Sequence, residues 1–151
     1  MTDQRGAEVA ALSRALVEAW NHADWSAYRA LTAGEYRYEE TGSGRRIDDV
    51  DAVLAHWRHV RNIFPDVSAE IVDVLARGDT SVVGLVWRAI DSTPVGTPDG
   101  VESPSYKRIR IGDSITLTWR GRWLTTERHQ IGVLSVLAAI PAVTGGAGCC
   151  C

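Results

Sequence analysis

The chain has 151 residues and a formal net charge of −3, from sixteen basic and nineteen acidic residues. Apolar residues make up 45% and charged residues 23%, ordinary globular usage, which excludes a disordered or collagen-like chain. The length suits one domain with a real core, and the slightly acidic balance gives no footprint for nucleic acid or an anionic membrane.

No apolar run approaches the roughly 20 residues that span a bilayer, and MTDQRGAEVAAL lacks the apolar stretch of a secretion signal. Six tryptophans stand beside one phenylalanine and one methionine. The three cysteines are Cys149, Cys150 and Cys151. The body of the chain therefore cannot rely on an internal disulfide or a cysteine-based zinc site. A reducing, cytoplasmic location is the expectation.

In chain order, Val9, Leu12, Leu16 and Trp20 recur at helical spacing, with alanines between them. That helix should end near Asn21-His22. Asp24 can cap a short second helix that brings Trp25, Tyr28 and Leu31 to one face. EYRYEE (35–40) alternates like a strand, with Tyr36 and Tyr38 on one side, and Thr41-Gly42-Ser43-Gly44 is a turn. Asp48 is the expected cap of a third helix, whose stripe is Val50, Val53, Leu54, Trp57, Val60 and Phe64, and Pro65 stops it.

The period then changes to two. VSAEIVDVLA (67–76) and TSVVGLVWRAI (80–90) are strands joined at Arg77-Gly78-Asp79, followed by a Pro/Gly-rich loop from Thr93 to Pro104. YKRIRI (106–111), SITLTWR (114–120) and WLTTERHQI (123–131) complete the strands, with a hairpin at Arg120-Gly121-Arg122. Val133 to Ile140 is an apolar closing segment. The division expected is one domain over 1–140 and a loose Gly/Cys tail over 141–151. Early helices and late strands predict an α+β fold: a curved antiparallel sheet wrapped around the helices, a cone with a deep apolar pocket.

These residues resemble the SnoaL-like polyketide cyclases, a branch of the nuclear transport factor 2-like cone fold. The resemblance spans roughly residues 7–140. It rests on Trp20-Asn21-x-x-Asp24, Tyr38-Glu39-Glu40-Thr41-Gly42, and Phe64-Pro65-Asp66-Val67. Gly78-Asp79 before a Val-rich strand ending in Trp87-Arg88, and Glu127-Arg128-His129 before a Val-Leu-x-Val-Leu segment, complete it. The resemblance implies a cofactor-free cyclase. In the family an aspartate that serves as acid/base group usually ends the closing strand; here Gly132 stands there. Asp91 stands about where a family histidine would be. The outer sheet face of this fold often makes dimers, so a homodimer or higher homo-oligomer is implied.

His129 beside Glu127 suits acid/base work near neutral pH. Alternation puts Glu127 and His129 on one face of the strand and Arg128 and Gln130 on the other, and only one pair can face the pocket. Asp91, ending an apolar strand, is either a base at the pocket mouth or a loop cap. The catalytic candidates are thus His129, Asp91 and Arg128. Tyr36 could steady an oxyanion or simply pack. Trp20, Trp57, Trp87 and Trp119 lie on apolar faces and either wall a pocket or fill a core, and His56 borders the buried side of its helix. His56 and His59 lack a third ligand at useful spacing, so no metal is expected. Glu39 and Glu40 read as exposed charge at a strand end. The basic residues of the late strands lack aromatic platforms and read as a charged outer face.

The function expected is cyclisation, or a related isomerisation, dehydration or epoxide opening, on an apolar polycyclic small molecule without a cofactor. The alternatives are a non-catalytic binding or accessory protein for such a ligand, and an assembly domain.

Overall fold

The computed structural model describes residues 3–131. Helix α1 (Gln4–Asn21) starts on the Asp3 carboxylate, which accepts from the Gly6 amide at 2.7 Å. It buries Val9, Leu12, Leu16 and Trp20, the stripe that the spacing predicts. Helix α2 (Trp25–Ala30) is capped by Asp24 and buries Tyr28. Helix α3 (Val50–Ile63) starts one residue later than expected, with Asp49 as its cap, and buries Val53, Leu54 and Trp57.

The strands are β1 (Thr32–Glu40), β2 (Arg46–Ile47), β3 (Ser68–Arg77), β4 (Thr80–Ile90), β5 (Val95–Thr97), β6 (Gly100–Glu102), β7 (Arg108–Arg120) and β8 (Trp123–His129). Six form one sheet in the order β2-β1-β8-β7-β4-β3, and β5 and β6 pair as a small hairpin within the expected loop. The helices lie against the inner face of the large sheet, so the fold is the α+β cone expected. All its ladders are antiparallel except β1 with β8, which run parallel. The tight turns after β3 and β7 place Gly78 and Gly121 at φ of 56° and 60°, where a Cβ would be strained.

One strand assignment needs correction. Gly112-Asp113 does not break the chain into two strands; β7 runs through it unbroken. The reason is phase. Ile109, Asp113, Ile115, Leu117 and Trp119 are all buried, so the inward parity never slips, and Asp113 occupies an inward position. The closing segment from Val133 to Ile140, Gly132 and the cysteine tail lie outside the described residues.

The open end of α1 is tied down by long side chains. The Asn21 amide donates to the Ala69 carbonyl and its oxygen accepts from the Ala69 amide, both at 2.8 Å, so the helix end pairs like a strand neighbour with β3. Arg61 donates to the carbonyls of Trp20 and Asn21 in the last turn, and its guanidinium lies 4.4 Å over the Trp20 ring. Asn21→Ala removes both Ala69 bonds and leaves half-buried backbone groups unpaired. The expected loss is about 1–3 kcal/mol, read as a lower urea midpoint at unchanged slope. An unchanged midpoint would mean that water replaces the amide without loss.

Candidate active site

β7 and β8 are neighbours, with Ile115 opposite His129. Inward parity therefore sets Asp113 on β7 beside His129 on β8, and Glu127 two residues before it. His129 Nδ1 lies 2.7 Å from Asp113 Oδ2, and Nε2 lies 3.2 Å from Glu127 Oε1. The ring is 1% exposed and Glu127 2%. A ring with an acceptor at each nitrogen carries both hydrogens, so it is an imidazolium.

The surroundings hold this charge in place. The Tyr28 hydroxyl donates to both Glu127 oxygens, at 2.8 and 2.5 Å, and the Tyr36 hydroxyl donates to Oε2. The Trp87 indole N–H donates to Asp113 Oδ2 at 3.0 Å. Burial disfavours a charged ring, but the hydrogen bonds and charges of Asp113 and Glu127 outweigh it and push His129 up to about 10. Burial also works against an ionised Asp113, yet the His129 hydrogen bond and charge hold its carboxyl below the usual 3.8. Burial, then the Glu127 charge, push Tyr28 and Tyr36 well above 10, so both stay neutral donors.

Above this cluster lies a cavity of about 240 Å³. Trp57, Trp87, Phe64, Ile109 and Ile111 make its apolar walls, and Tyr38, Glu40 and His56 supply polar atoms. Trp57 and Trp87 stack at 5.9 Å with 28° between planes. They also border a void of about 10 Å³ underneath, which Tyr28, Glu127 and His129 line from below. The stacked indoles are thus a floor between the cavity and the charged cluster.

Three proposed site residues fall elsewhere. Arg128 is on the outer sheet face, bonded to Glu39 at 3.0 Å, because it is one residue out of phase with His129. The Asp91 carboxylate accepts from the Ser105 amide and hydroxyl, at 3.0 and 2.6 Å. It closes the base of the β5–β6 loop, the capping role, and is absent from the cavity wall. Trp119 faces inward but is core, 2% exposed and away from the cavity. Trp20 lies under the floor, edge-on to Trp57 and Trp87. Trp57, Trp87 and His56 do line the cavity, and Tyr36 joins the cluster.

Three participants are concealed in the sequence. Asp113 was hidden by its Gly-Asp turn signature, although its odd-number phase with Ile109 and Ile115 betrays it. Tyr28 reads in the sequence only as a helix-face residue. Glu40 is not an exposed strand end: it shares the inner face with Tyr38, whose hydroxyl donates to it at 2.8 Å. Among the described residues, no group of three or more His, Cys, Asp or Glu side chains is arranged to hold a metal ion. Nor is any described helix long and apolar enough to cross a membrane.

Residues 13–128 match the family model of the SnoaL-like domain. The chain belongs to the SnoaL-like family. Solved structures agree on the nuclear transport factor 2-like fold. A protein provisionally assigned as a SnoaL-like polyketide cyclase from Jannaschia sp. CCS1 has TM-score 0.78 and 18% identity, covering 94% of this chain and 97% of its own. IdmH, provisionally assigned as a polyketide cyclase of Streptomyces antibioticus, has TM-score 0.75 and 19% identity, over 91% and 98%. AclR, provisionally assigned as a hydroxylase of Streptomyces galilaeus, has TM-score 0.72 and 19% identity, over 88% and 84%. No curated protein sequence matches the chain significantly. At these identities the likeness to other SnoaL-like proteins is one of fold.

The raised His129 pKa fixes a pH dependence. Between about pH 6.5 and 10 the folded protein keeps a proton that the unfolded chain has lost, so stability falls as pH rises through that window. Melting temperature should decline steadily from pH 6.5 to 10, and His129→Gln should flatten that limb while lowering the starting value. A flat wild-type profile would contradict a paired, charged ring.

Proposed function

We propose that this SnoaL-like protein is a cofactor-independent enzyme of natural-product tailoring. It would close or rearrange a ring of an apolar, polyketide-like substrate by proton transfer, in the reducing interior of the cell. The observation that supports this best is a fully buried imidazolium whose ring centre lies 5.6 Å from that of Trp57 in the floor of an apolar cavity. A group protonated at neutral pH and shielded from water is suited to act as a general acid.

In this reading the tryptophan and isoleucine walls hold the substrate in a reactive conformer, which itself supplies much of the rate. The substrate parts the Trp57–Trp87 stack and reaches His129. The imidazolium protonates the oxygen of the carbonyl under attack, and the neutral ring recovers a proton from the acidic carbon that forms the new bond. The proton count closes without a cofactor. Asp113 and Glu127 hold the ring in line, and the Tyr28 and Tyr36 hydroxyls hold Glu127 in place. Arg128 and Asp91 take no part, because neither reaches the cavity.

A second reading, a binding protein for the same class of ligand, has its own support. Among the described residues, the cluster's ionised groups are absent from the cavity wall and lie below closed indoles.

The test is turnover of a linear aromatic-polyketide precursor mimic, followed by mass spectrometry. The enzyme reading expects ring-closed product from the wild type. It expects His129→Gln and Glu127→Gln, checked for fold by circular dichroism, to slow the reaction by about 10²-fold or more. Precursor that binds and is recovered unchanged from the wild type would favour the binding protein.

A further inference from the structure

The cavity wall carries a second set of ionisable groups, apart from the His129 cluster. Glu40 ends β1 on its inner face. Its Oε1 accepts from the Tyr38 hydroxyl and its Oε2 from the Ser43 hydroxyl, both at 2.8 Å. His56 of α3 presents Nε2 at 3.6 Å from Oε1. On the other side of that ring, Arg45 Nη1 lies 2.8 Å from His56 Nδ1, and the same guanidinium reaches back to Glu40, with Nε 3.8 Å from Oε1.

This chain of contacts fixes protons. A guanidinium can only donate, so Nδ1 is an acceptor and the ring hydrogen sits on Nε2, facing Glu40. Burial first, then the Arg45 charge, hold His56 below its usual 6.5, against the opposing pull of Glu40; His129 and His59 add to the lowering. The ring is therefore neutral near pH 7, with the edge of Tyr38 packed beside it. The other charged lining residue, Arg88, is bonded to Glu70 at 3.0 Å.

Glu40 is thus the carboxylate of the cavity wall, where two hydroxyls donate to it. A carboxylate has about four lone-pair sites, and hydroxyls within hydrogen-bond distance fill only two of Glu40's. What it can still do toward a ligand is accept a hydrogen bond. A ligand hydroxyl satisfies that; a ligand carboxylate meets like charge inside an apolar enclosure, where repulsion is poorly screened.

We infer that Glu40 is the specificity-determining residue of the cavity, accepting a hydrogen bond from a phenolic or enolic hydroxyl on the edge of an apolar fused-ring ligand and rejecting a carboxylate of the same shape. His56 is a positioning residue that aims Glu40, and Arg45 locks His56 in the tautomer that does so. The inference rests on the proposed reading of the cavity as the site of an apolar ring ligand, and it adds which functional group that ligand presents.

The test compares three probes, naphthalene, 2-naphthol and 2-naphthoate, by quenching of tryptophan fluorescence. Wild type should bind 2-naphthol about tenfold or more tighter than 2-naphthoate. Glu40→Gln should bring the two within about threefold, because an amide accepts from the hydroxyl and donates to the carboxylate. Naphthalene should bind both proteins alike, which reports an intact cavity. His56→Gln should narrow the preference partway. Equal binding of 2-naphthol and 2-naphthoate to wild type, or a full preference surviving in Glu40→Gln, would overturn the role of Glu40 while leaving the cavity reading standing. Failure of naphthalene itself to bind wild type would overturn both.

Discussion

A single imidazolium held between two carboxylates ties the two halves of this domain together. His129 and Glu127 come from β8 and Asp113 from β7, while their partners come from α2, β1 and β4 as Tyr28, Tyr36 and Trp87. Five elements thus meet at one charged point inside an aromatic core. Burying charge is unfavourable unless each group is paired and bonded; two phenols and an indole donate to the carboxylates here, and among the described residues only Asp113 Oδ1 of the cluster lacks a partner. Taking away one partner leaves an uncompensated charge, a loss of about 3–5 kcal/mol in comparable buried pairs. That strictness fixes the sheet register as well as the chemistry, since a one-residue slip of β8 would put Arg128 in the place of His129.

The tryptophan excess divides into distinct tasks. Trp119 fills the core. Trp20 packs edge-on against Trp57 and Trp87 and takes the Arg61 guanidinium on its face. Trp57 and Trp87 form the floor between cavity and cluster. Such rings provide large apolar area in few rotamers, so a cavity of this size can persist beside a dense core. Trp87 does both jobs, since its N–H bonds Asp113 while its ring walls the cavity. Movement of a ligand against that ring would be felt at the Asp113–His129 pair.

The fold was readable because periodicity was strong. The α1 stripe, the Asp24 cap, and the alternation that pairs Tyr36 with Tyr38 and Glu127 with His129 all appear in the structure as the sequence states them. The same alternation paired Glu127 with His129 and left open which pair faced inward; burial of Tyr28 and Tyr36 against Glu127 decides it. The rest needed three dimensions. Parallel pairing of β1 with β8 leaves no mark in either strand. Asp113 is masked by a glycine before it, and the value of Asp91 and Glu40 turns on partners, Ser105 and His56, that are adjacent only after folding. Polar residues at inward strand positions were the signal that carried furthest.

The cluster as built requires a charged His129 ring at neutral pH. Nitrogen-15 NMR of imidazole-labelled protein reads this directly, since protonated and bare ring nitrogens resonate far apart. Both His129 nitrogens should read as protonated at pH 7 and remain so until the pH nears about 10. A neutral, single-tautomer ring at pH 7 would contradict the account, leaving Asp113 and Glu127 without their shared cation and the proposed acid without its proton.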